Sequence, residues 1–110
     1  MPENSAASVV AADIRKRIAD DFSSSAGAVE ARIADFVSSF RSTYGHHPGD
    51  RVIRCILQLA ESKLPHLEHY MKAALADWRD VIAWAEYDKN EARIFDFNVP
   101  FEYAARKPNA

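Results

Sequence analysis

Between Leu67 and Ala85 apolar side chains return every three or four positions, at Leu67, Met71, Ala74, Leu75, Trp78, Val81, Ile82 and Ala85. That spacing keeps one face of an α-helix apolar and is out of phase with the two-residue repeat of a strand. The longest patterned block of the chain is therefore helical with one buried side. Pro65 fits its first turn, where the missing amide costs nothing. Two readings follow: one helix from Pro65 to about Tyr87, or a break near Asp77, whose carboxylate can cap a second segment. The unbroken phase favours one helix, with at most a bend.

The three glycines, Gly27, Gly45 and Gly49, fall where the upstream periodicity breaks. Val10, Ile14, Ile18 and Phe22 predict a narrow-ridged surface helix from about Ser5, followed by a linker at Ser23, Ser24 and Ser25. Val29, Ile33, Phe36, Val37, Phe40 and Tyr44 share one face of a second helix from about Ala26 to Tyr44, stopped by Gly45. Asp50 is the expected N-cap of a third, running to about Ser62. There Val52, Ile53, Ile56, Leu57, Leu59 and Ala60 cover more than half the circumference and leave Arg51, Arg54, Gln58 and Glu61 outside, the pattern of a central helix.

Beyond Asp88 the period changes. Phe95, Phe97, Val99 and Phe101 alternate with Asp96, Asn98 and Pro100, which predicts an extended strand confined to an edge by Pro100. The expectation is one all-α domain over residues 1–110, a compact bundle of four or five helices. Residues 1–5 are expected to be flexible and residues 89–110 to form a partly extended, aromatic C-terminal segment. A chain of 110 residues supports one core of this kind.

Charge and cysteine usage narrow the setting. Residues 1–55 carry seven basic and seven acidic side chains and residues 56–110 carry seven and nine. Neither half has the net positive field that phosphate neutralisation requires. A nucleic-acid regulator using Arg15, Lys16, Arg17, Arg51 and Arg54 is thus the least favoured reading. Cys55 is the one cysteine, so no intrachain disulfide is possible. With no basic-then-apolar leader and no stretch approaching about 20 apolar residues, the chain reads as cytoplasmic and not membrane-bound.

Catalytic chemistry has two candidate footholds. His66 and His69 lie three apart on the long helix, where Glu61 or Glu68 could complete a metal site. Exposed helix-boundary histidines are the favoured reading, and no metal or cofactor is expected. Asp77, Arg79 and Asp80 form the densest charged cluster. Two carboxylates can serve as acid and base, yet capping and pairing with Arg79, Arg51 or Arg54 is the simpler role. A small enzyme or metal-dependent hydrolase using His66, His69, Asp77 and Asp80 is the alternative function. Cys55 reads as a half-buried hydrophobe rather than a nucleophile.

The leading reading is a surface. Trp84 and Tyr87 project away from the core face centred on Trp78 and require a cover. Phe95, Phe97 and Phe101 could supply it by folding back, or by reaching across to a second copy; the short connection favours folding back. The chain is accordingly expected to be a protein–protein interaction module that self-associates as a homodimer, its surface built from Trp84, Tyr87, Phe95, Phe97 and Phe101.

Overall fold

The computed structural model describes residues 10–106, and the expected flexibility of residues 1–5 lies outside them. The chain forms a helical bundle: α1 (Ala12–Phe22), a 3₁₀ turn at Ser23–Ser25, α2 (Ala26–Tyr44), α3 (Asp50–Ala60), α4 (Leu64–Glu86) and a single-turn α5 (Phe101–Ala104). α3 is the centre. It packs chiefly along α4, with α1 also against it, while α2 bridges α1 and α4. Residues Val52 to Leu57 of α3 are all buried, as its wide apolar face requires. Ile14, Ile18, Val29, Ile33, Phe40, Leu67, Ala74 and Val81 complete the core from the surrounding helices.

Helix ends differ from expectation where backbone geometry overrules side-chain chemistry. α1 begins at Ala12, because Ala11 is extended (φ −68°, ψ 160°); the expected start near Ser5 lies outside the described residues. Val10 nevertheless packs against the core from outside the helix. The cap of α3 is Gly49, not Asp50. Gly49 takes φ 88° and ψ 154°, a conformation open almost only to glycine. Asp50 is then inside the first turn, where its charge still complements the helix dipole. Gly45 stops α2 in the left-handed region as expected, its amide donating to the Arg41 carbonyl at 2.8 Å. α3 ends at Ala60 because Glu61 and Ser62 turn left-handed (φ 52° and 63°).

The long helix is interrupted. Asp77 is extended (φ −160°, ψ 101°), and its Oδ1 accepts the Arg79 amide at 3.1 Å, an N-cap bond for the second segment. Tyr70 and Trp84 have ring centroids 6.2 Å apart. A straight helix would separate these positions by about 21 Å along its axis, so the chain turns back sharply at Asp77. The apolar phase continues across the break because both segments face α3. Carbonyls freed at the break are met from α2: the Tyr44 hydroxyl lies 2.9 Å from the Leu75 oxygen and 3.2 Å from that of Ala76. Tyr44→Phe, which removes only that donor, is expected to cost about 1 kcal/mol in urea unfolding.

The predicted edge strand does not form. Among the described residues there is no strand, only isolated bridges joining Tyr87 to Arg93 and Phe95 to Ala105. Asp96 accepts the Asn98 amide at 3.1 Å and turns the chain. Pro100 then leads into α5. The alternation of Phe95, Phe97, Val99 and Phe101 records which side chains face the body, and a turn followed by a helical turn meets that requirement as well as a strand would.

Candidate interaction surface

The C-terminal tail, Arg93 to Arg106, is held by two ion pairs that grip its main chain. Glu86, at the end of α4, has no solvent exposure. Arg51 of α3 donates to it as a fork, Nε to Oε2 at 2.9 Å and Nη2 to Oε1 at 2.7 Å. Arg93 of the tail adds a third bond at 2.9 Å, and the Phe97 amide a fourth at 3.0 Å. The Glu86 carbonyl also accepts from the amides of Ile94 and Phe95 at 2.7 and 3.2 Å. One residue thus binds the tail through both its side chain and its backbone.

Asp13 and Arg54 form the second pair. Arg54, 6% exposed, donates twice to Asp13 of α1 at 2.9 Å and once to the Phe97 carbonyl at 3.1 Å. Asp13 accepts the Phe101 amide at 3.1 Å. The peptide groups of Phe97 are therefore clamped from both sides, its N–H by Glu86 and its C=O by Arg54. Its ring is 1% exposed, stacked with Phe95 at 5.1 Å and edge-on to Phe101 at 5.7 Å. Arg17 lies over the Phe101 ring at 4.6 Å. Asp96 closes the tail on itself through Arg93, Arg106 and Asn98.

These carboxylates titrate low. Burial opposes ionisation of Glu86 and Asp13, but the hydrogen bonds from Arg51 and Arg54, from the Phe97 and Phe101 amides, and from Arg93 to Glu86 outweigh it and hold both below their ordinary range. Asp96, bonded chiefly by Arg106 and Asn98, falls to about 2. A carboxyl depressed in the folded state stabilises above its unfolded pKa and loses that contribution as pH falls through its folded value. Melting temperature is expected to be flat from about pH 5 to about pH 8 and to drop on acidification, Asp96 contributing between 3.8 and about 2. A pH series of thermal melts measures this.

Beside the clamp lies an uncovered apolar face. Trp84 is 52% exposed, and Tyr87 and Ile94 are also exposed. Trp84 packs edge-on to Tyr70 and borders a shallow groove of about 280 Å³ lined by Gln58, Leu59, Glu61, Ala85, Ile94 and Phe95. Arg93 lies 5.9 Å above the Tyr87 ring. The tail folds back within the chain, yet it lands on α1, α3 and Glu86 and leaves much of Trp84 and Tyr87 in water. Comparison with protein families, curated proteins and solved structures finds no match.

The expected surface residues separate. Trp84 and Tyr87 are exposed, Phe95 and Phe101 are half-buried against the core, and Phe97 is buried in the core rather than exposed on the surface of the single chain. Asp77 is occupied as a cap and in a fork with Arg79 at 3.0 and 3.1 Å, and Asp80 is exposed. His66 and His69 are exposed, His69 edge-on to Tyr70 at 4.9 Å. Among the described residues no three His, Cys, Asp or Glu side chains gather closely enough to hold a metal. Arg15, Lys16, Arg17, Arg51 and Arg54 each pair with a carboxylate, respectively Glu30, Asp20, Asp21, Glu86 and Asp13.

Cys55 is fully rather than half buried, with Sγ 3.9 Å from Glu86 Oε2. Burial first, and the Glu86 charge second, push its thiol far above the ordinary range. It is expected to react with a thiol reagent only at the rate of unfolding, so that denaturant accelerates labelling and micromolar reagent leaves the folded chain unmodified.

Sequence reasoning missed Glu86, Arg93, Asp13 and Asp96 as partners and placed Arg54 on the polar rim. A signal for Arg54 was present. It lies between Ile53 and Cys55 on a helix whose apolar arc already exceeds half the circumference, which leaves little room for a wholly exposed side chain.

Proposed function

We propose that the protein is a small helical protein–protein interaction module that pairs with a second copy of itself through the face of Trp84, Tyr87 and Ile94. The observation that carries this is Trp84: a tryptophan half in water, beside exposed Ile94 and an open groove, is the kind of anchor on which interface energy concentrates. Projection and groove lie on one surface, which suits the self-complementary contact of a two-fold pair. Burial of the phenylalanines leaves Trp84 and Tyr87 as the contact residues, with Ile94 joining them. A cytoplasmic setting goes with this reading, since Cys55 has no second cysteine to pair with.

Sedimentation velocity at micromolar and near-millimolar concentration tests it. The full chain is expected to sediment faster as concentration rises, and Trp84→Ala to remain monomeric with unchanged helix content. A chain monomeric at both concentrations contradicts the reading.

A further inference from the structure

The tail sits on the helices as a peptide sits in a receptor. Its main chain is bonded by Glu86, Arg54 and Asp13, and Phe97 fills a buried pocket. Main-chain bonds combined with a side-chain pocket are a general means of holding an extended segment. Only residues 88–92 tether the tail to α4. That hinge closes as a tight turn, with Asp88 Oδ1 accepting the amides of Asn90 and Ala92 at 2.8 and 3.0 Å. Closure forces Glu91 to φ 64°, a left-handed backbone that residues other than glycine seldom adopt. The exposed side chains of Tyr87 and Ile94 stand at the two ends of the hinge, with Trp84 one turn before it.

We propose that the tail is exchanged between two copies of the chain, each docking in the other's Glu86–Arg54–Asp13 clamp. The hinges then extend, and Tyr87, Ile94 and Trp84 of both copies meet around them. Exchange preserves every clamp contact, so the hinge and the new apolar contact decide the balance. The short tether favours docking within one chain, with an effective concentration in the millimolar range. Relief of the Glu91 backbone and burial of the exposed side chains act against it. This inference rests on self-association and adds its mode.

Hinge variants of the full chain, followed by sedimentation, test it. Glu91→Gly removes the left-handed penalty and is expected to weaken the dimer on the order of tenfold, since two hinges open per dimer. Glu91→Pro cannot adopt a positive φ and is expected to strengthen it. Deleting residues 88–92 leaves the tail no means of reversing onto its own clamp and is expected to give a dimer even at micromolar concentration. A wild-type dimer indifferent to both Glu91 variants overturns the exchange and leaves pairing through Trp84 standing. Monomers throughout, the deletion included, overturn both.

Discussion

Glu86→Ala is expected to lower the unfolding free energy by about 3–5 kcal/mol, the range for removing one partner of a buried ion pair. The carboxylate has no solvent exposure and accepts from Arg51, Arg93 and the Phe97 amide. Alanine leaves Arg51 without its carboxylate partner, Arg93 with Asp96 alone, and a buried amide without an acceptor. Against a typical total of about 5–15 kcal/mol, that is a large fraction, and melting temperature is expected to fall by at least about 12 °C. Arg51→Ala and Arg93→Ala should cost less, in that order. Each arginine is about one-third exposed, and the other still neutralises Glu86. Equal losses for all three variants in thermal melts would mean that Glu86 is not the hub.

Phe97→Ala is the second large effect. Its ring is 1% exposed and packed between Phe95 and Phe101, and deletion of a buried phenylalanine costs about 3–5 kcal/mol. The tail's docking energy sets a ceiling on that loss, because residues 88–106 can detach while α1 to α4 persist. Far-UV circular dichroism is therefore expected to change little, while trypsin cuts rapidly at Arg93 and Arg106, which the wild-type tail holds in bonds to Glu86 and Asp96. Phe95→Ala, at a half-buried position, should leave the tail far better protected. A Phe97→Ala chain as resistant to trypsin as wild type would contradict the clamp.

The helices were legible because each buries a stripe, and a stripe is written in local spacing. Val29, Ile33, Phe36, Val37 and Phe40 of α2 and Val52, Ile53, Ile56, Leu57 and Ala60 of α3 are buried as their periodicity requires. Asp77 shows the limit: hydrophobic phase reports which face is buried and is blind to a change of axis between two segments facing the same neighbour. The clamp was not legible for a different reason. Arg54 pairs with Asp13 across 41 positions and Arg51 with Glu86 across 35, and nothing in a linear charge pattern distinguishes these arginines from the exposed Arg79 beside Asp77. The aromatic surface was half legible. Trp84 and Tyr87 lie off the core stripe and are exposed, whereas the tail's alternating phenylalanines gave the same signal for a strand, a cover and a core.

The tail is docked through the main chain of Phe97 and Phe101. Native-state hydrogen exchange at those two amides tests it most directly. The bonds to Glu86 at 3.0 Å and Asp13 at 3.1 Å predict exchange slowed by orders of magnitude relative to an unstructured peptide, with protection at Phe97 reduced in Glu86→Ala. Free exchange of both amides in the wild-type chain at neutral pH would contradict main-chain docking of the tail.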